Sequence, residues 1–227
     1  MPDKADANSK PQTLTLQQAL DLAVEHHQAG DLPRAESIYN QILQSDPNQP
    51  QALHLLGMIA YQGGDSEKAI ELIGKAITLR PDYAEAHCNL GVSLQELGRG
   101  EEAIISYKAA INISPNYSSA YYNLGNQLYA LTQLNEAAVN FRKAIEIKPD
   151  YAEAHNNLGI ILRDFHKLDK AFDCCQQAIE FKPNYVDAHL NIGLILYDLG
   201  KLEEAVASYR RVLSIQPKHG KALWLLG

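Results

Sequence analysis

Asn89, Asn123, Asn157 and Asn191 stand 34 residues apart in this 227-residue chain. A carboxamide carries a donor and an acceptor on one rigid group. A regular row of them can pair with successive amides of an extended peptide, whatever that peptide's side chains. Other residues invite different chemistry. His87, His155 and His189 also recur at multiples of 34. Metal ligands must converge on one point, and histidines a whole unit or more apart do not. They read as packing residues, and no metal site is expected. Cys88, Cys174 and Cys175 form neither a CxxC pair nor a zinc spacing. They read as packed, reduced thiols, with a strained disulfide between the vicinal pair as the alternative. The stretch GRGEEA at Gly98–Ala103 fits G-x-G-x-x-A, but no strand precedes it, so a dinucleotide loop is not expected there. No nucleophile–base arrangement and no supported carboxylate pair emerges. The chain therefore reads as non-catalytic and cofactor-free.

Composition narrows the partners. The formal net charge is −7 and charged residues make up 21%. A general nucleic-acid binder needs clustered Lys and Arg, so nucleic acid is not an expected partner. No apolar run approaches the ~18 residues of a membrane span. The opening MPDKADANSKPQ has no apolar core of a signal peptide, and residues 1–13 read as a disordered polar arm. Membrane association is not expected, and the cytoplasm is the expected compartment.

The elements that must position the asparagines follow from one period. Pro47, Pro81, Pro115, Pro149, Pro183 and Pro217 are each 34 residues apart. With proline as position 32 of a unit, the units run 16–49, 50–83, 84–117, 118–151, 152–185 and 186–219, with a partial seventh at 220–227. Position 8 is Ala23, Gly57, Gly91, Gly125, Gly159 and Gly193. Position 20 is Ala in every unit, from Ala35 to Ala205. Position 24 is Tyr39, Ile73, Tyr107, Phe141, Cys175 and Tyr209. Positions 4, 7, 8 and 11 share a face at helical spacing, as do 20, 24 and 27. Two helices per unit follow, with small residues at 8 and 20 letting their backbones approach. Gly at position 15 ends the first helix in a left-handed turn, with Thr132 and His166 as departures. Proline at 32 stops the second. Asp or Asn at 33 is expected to cap the next helix, with Asp82–Glu85 and Asp150–Glu153 at capping-box spacing.

These small, aromatic and proline positions resemble the tetratricopeptide repeat, over Leu16 to Gly227. The resemblance implies an all-α, right-handed solenoid of six complete helical hairpins plus a truncated seventh. It also implies a concave groove, lined by first helices, that binds peptides or partner proteins. The units repeat because each buries its face against the next.

On a helical wheel the face opposite the core holds positions 2, 5, 9, 12 and 13, with 6 at its flank. The recurring Asn89, Asn123, Asn157 and Asn191 occupy position 6. They either bind ligand or bond to the adjacent repeat, and both roles can coexist. The stretches CNLG, YNLGN and NNLG resemble the repeats of protein O-linked N-acetylglucosamine transferases. That resemblance implies that the asparagines hold a substrate's main chain. The row should fade towards Asp21 and Leu55, which hold position 6 in the first two units. Asn126 and Asn156 are expected to add contacts. Glu85, Glu153, Asp164, Asp187 and Asp198, with Glu96, face Arg163 as the one basic residue, while Tyr122, Tyr129, Tyr197 and Tyr61 add aromatic surface. Such a groove favours neutral or basic extended segments, unless the acids form only a solvated face. Position 2 carries Glu85, Ser119, Glu153 and Asp187, where a carboxylate clamp would need lysine.

The sequence stops within a first helix, GKALWLLG, whose leucines have no following helix to cover them. A longer native chain is therefore the expectation, with more repeats and a C-terminal catalytic domain as one form. Three readings stand: a peptide-binding module, the recognition region of a glycosyltransferase or other transferase, and a self-associating scaffold.

Overall fold

The computed structural model describes residues 14–227. The expected polar arm, 1–13, lies outside them. All regular structure among the described residues is helical, in two compact units divided at Gly98 and Arg99. The first contains α1 (Leu16–Gln28), α2 (Leu32–Ser45), α3 (Pro50–Gln62), α4 (Ser66–Leu79) and α5 (Ala84–Glu96). The second contains α6 (Gly100–Ile113), α7 (Ser118–Ala130), α8 (Leu134–Ile147), α9 (Ala152–Asp164), α10 (Leu168–Phe181), α11 (Val186–Asp198), α12 (Leu202–Ile215) and the short α13 (Gly220–Leu226). Within each unit, consecutive helices pack as hairpins, α1 on α2 and α3 on α4, then α7 on α8, α9 on α10 and α11 on α12. First helices run 13 residues and second helices 14, as the repeat requires.

Position 8 meets position 24 inside four hairpins, at Gly57, Gly125, Gly159 and Gly193. A Cβ on Gly57 would stand 2.7 Å from Ile73 Cγ1, one on Gly125 2.8 Å from Phe141 Cε1, and one on Gly159 2.5 Å from Cys175 Sγ. The side chain at 24 fills the space the absent side chain leaves, so both are buried. Position 3 is a further core row, with Ala52, Ala86, Ala120, Ala154, Ala188 and Ala222 fully buried. The three cysteines are free thiols, and burial pushes the Cys175 thiol up to about 12. Cys175 is thus an inert packing atom against Gly159 rather than a nucleophile.

The turns between hairpin helices all use left-handed backbone. Gly30, Gly64, Gly98 and Gly200 have φ between 71° and 83°, and Thr132 and His166 hold φ of 58° and 55° in the same place. The helix starts differ from expectation. Asp82 and Asp150 do not cap α5 and α9. Those helices begin one residue later, and their caps are Tyr83 and Tyr151, which make no side-chain cap bond. A tyrosine hydroxyl lies too far along its ring to fold back onto the first turn. The capping box occurs instead at Thr15 and Gln18.

Candidate functional site

The first helices carry the candidate residues. Position 5 is not on their open face: Leu20, His54, Cys88, Asn156 and Leu190 are buried and Tyr122 is half-buried, because neighbouring helices pack over that edge. The asparagines of position 6 are half-buried beside it, and Asn89, Asn157 and Asn191 reach back towards the preceding first helix.

In the first unit, Asn89 Nδ2 lies 2.8 Å from His54 Nε2, and His54 Nδ1 lies 2.9 Å from Tyr83 Oη. With Asn89 donating to Nε2, the ring proton sits on Nδ1 and donates to the tyrosine oxygen. His54 is only 2% exposed, and burial, with Arg80 adding to it, pushes its imidazole down to about 4. The ring is therefore neutral, which leaves Nε2 able to accept. Arg80 lies over the Tyr83 ring at 3.3 Å. Glu85 is exposed on α5, and Tyr61 is half-buried on α3.

In the second unit the amides form a continuous chain. Asn191 Nδ2 donates to Asn156 Oδ1 at 2.9 Å. Asn156 Nδ2 donates to Asn157 Oδ1 at 3.2 Å, and Asn157 Nδ2 donates to Asn126 Oδ1 at 2.8 Å. The run crosses from α11 through α9 to α7. Asn156, expected among the groove contacts, is 2% exposed and lies beneath its neighbours. Asn123, Asn126, Asn157 and Asn191 are half-buried. The adjacent-repeat role of position 6 is thus present in Asn89, Asn157 and Asn191, each bonded to the first helix before it.

The acids are partly neutralised. Arg163 Nε pairs with Asp198 Oδ2 at 2.6 Å, joining α9 to α11. Lys182 Nζ meets Glu153 Oε1 at 2.9 Å, and that bond holds the Glu153 carboxyl below its usual range. Lys182 follows α10, a second helix, so a wheel drawn for first helices could not supply it. Asp164 and Asp187 are exposed. Tyr122 leans on Tyr151 with ring centroids 4.8 Å apart and on Phe141 at 5.9 Å, so packing holds it half-buried. Tyr129 and Tyr197 are 40% and 60% exposed, and their faces are available. Burial, with Asp164 adding to it, raises the Tyr129 hydroxyl above its usual range.

The recurring histidines hold the turns. His87, His155 and His189 place Nε2 at 3.0, 2.8 and 2.9 Å from the carbonyl oxygens of Pro81, Pro149 and Pro183. The proline that stops one helix is thereby tied to the helix that follows. Among the described residues, no group of three or more His, Cys, Asp or Glu could hold a metal ion, and no helix is long and apolar enough to cross a membrane.

Family models described as "TPR repeat" match residues 57–98, 96–131 and 125–164. Others described as "Tetratricopeptide repeat" match 152–185, 186–219 and 26–77. No curated protein matches the sequence. Among solved structures, MamA is 27% identical, over 73% of this chain and 97% of its own, with a TM-score of 0.66. PilW, a type IV pilus biogenesis factor, is 21% identical over 95% and 100%, with a TM-score of 0.83. YrrB, a TPR protein with an unusual peptide-binding site, is 22% identical over 82% and 96%, with a TM-score of 0.67.

Proposed function

The chain belongs to the tetratricopeptide repeat family, and we propose that it is a non-enzymatic interaction module holding an extended peptide along its first helices. One observation carries this reading. Three first helices of the second unit carry a bonded row of side-chain amides, and two of them also carry the exposed tyrosines Tyr129 and Tyr197. Main-chain amides of an extended segment pair with the amide row, and its side chains lie on the rings. In YrrB the same fold carries a peptide-binding site.

The preferred ligand is neutral to basic. The ion pairs of Glu153 and Asp198 leave Asp164 and Asp187 as the exposed acids of this face. Their influence on a basic segment is modest and falls with salt. In the first unit the corresponding contacts are Asn89 and Glu85.

A displayed library of random dodecapeptides, selected on the chain, tests this. Tyr197→Ala and Asn157→Ala should each weaken the selected peptides by about tenfold, the loss of one good contact. Tyr197→Ala should leave melting unchanged, because the ring is mostly exposed. Peptides that bind both variants as well as the unaltered chain would place the site elsewhere.

A further inference from the structure

Position 5 is buried in five of the six repeats, and three of those place an apolar residue there, Leu20 in α1, Cys88 in α5 and Leu190 in α11. Asn156 stands there in α9. A buried carboxamide is costly unless its polar atoms are bonded, and a leucine would pack at the same register without that cost. Asn156 bonds in both directions, accepting from Asn191 and donating to Asn157. At 2% exposure it cannot itself meet a ligand.

We infer that Asn156 is a positioning residue that fixes the orientation of the amides on either side of it, an inference that rests on the peptide-binding reading above. A surface carboxamide can turn over and exchange its donor for its acceptor, since the two ends are of similar size. A buried partner removes that freedom. Asn156 Oδ1 holds Asn191 by its nitrogen, which leaves the Asn191 carbonyl oxygen uncommitted among the described residues. Asn156 Nδ2 holds Asn157 by its oxygen, which commits the Asn157 nitrogen to Asn126 Oδ1. The Asn126 nitrogen is then left uncommitted among the described residues. All three bonds run the same way, from α11 to α7. The row offers a ligand an acceptor at Asn191 and a donor at Asn126, so it takes a peptide N–H at one end and a peptide C=O at the other. Pre-orienting these groups spares the ligand that ordering cost.

The experiment uses Asn156→Leu, the residue type at this register in α1 and α11, and Asn156→His, the type in α3, where His54 pairs with Asn89. The probes are dodecapeptides selected on the unaltered chain. Side-chain amide hydrogen exchange of Asn157 and Asn191 is read in the free protein. Asn156→Leu should speed that exchange and weaken the peptides by about tenfold, with melting unchanged or raised. Asn156→His restores an acceptor for Asn191, so it should slow Asn191 exchange and regain part of the affinity. A merely structural asparagine would instead lose affinity only in step with melting, and that result overturns the inference. Unchanged exchange at Asn191 in Asn156→Leu overturns the positioning role alone. If no peptide is retained by the unaltered chain, the peptide reading itself fails, and the ligand role of Asn156 fails with it.

Discussion

Thr132 and His166 hold left-handed backbone where other turns of the chain use glycine. A side chain at positive φ costs roughly 1–3 kcal/mol, and a β-branched one is the less tolerated. Thr132→Gly should therefore raise unfolding free energy by about 1 kcal/mol after glycine's extra chain entropy is counted. Urea titration reads this directly, and a loss of stability would show that the threonine side chain contributes more than its backbone costs. His54 carries a second prediction. Its imidazole is neutral in the fold at about 4, whereas an unfolded histidine takes its proton near 6.5. Between those values the unfolded chain binds more protons, so stability is complete above about pH 6.5 and falls as pH drops towards 4. The slope is about 1.4 kcal/mol per pH unit and the total about 3 kcal/mol. His54→Leu should flatten that part of the stability–pH curve in the first unit. A curve equally steep without His54 would assign the effect to other groups. The asparagine bonds could have been found in the sequence. Asn89, Asn157 and Asn191 each follow a repeat carrying His54, Asn126 or Asn156 at position 5 or 9, while Leu55 follows Leu20 and Val24. Position 5 reads as open on a single helix wheel because a wheel holds one helix and no neighbour.

At the scale of the element, the glycines divide by what surrounds them. Gly159 in α9 lies against Cys175 and the Ala171 carbonyl, and a Cβ there would stand 2.5 Å and 3.2 Å from them. Gly74, inside α4, has nothing within 4 Å. Gly159→Ala should cost about 1–3 kcal/mol by overpacking the hairpin. Gly74→Ala should stabilise by about 0.5–1 kcal/mol through helix propensity alone. Thermal melts of the two variants should shift in opposite directions, and parallel shifts would mean that propensity, not packing, governs both. The close approach of the two helices was legible, since the period put small residues at 8 and 20, but the filling of position 8 by the side chain at 24 needed the packed hairpin. The helix starts were not. Asp82 and Asp150 have the composition of a cap, yet the chain takes one more residue to leave the proline turn, and that residue is Tyr83 or Tyr151. The histidine bonds to Pro81, Pro149 and Pro183 explain the turn's length, because they span its carbonyl to the second half of the first helical turn.

The whole molecule inherits its energetics from the repeat. Within each compact unit helices pack on their sequence neighbours, so each unit's stability is a sum of hairpin terms and nearest-neighbour terms. A defect should therefore stay local. Ile73 is fully buried in α4, where it fills the place left by Gly57. Ile73→Ala should cost about 2–5 kcal/mol at that hairpin. Amide exchange in α3 and α4 should speed accordingly, with a weaker effect in α5, which packs on α4. Exchange in α9 to α12 should hold near its unaltered rates, and peptides bound through Asn157 and Tyr197 should keep their affinity. If α9 to α12 lose protection by the same factor as α3 and α4, the chain opens as one cooperative block. Binding at the amide row would then respond to distant core substitutions, and each affinity change would have to be corrected for stability before being read as a lost contact.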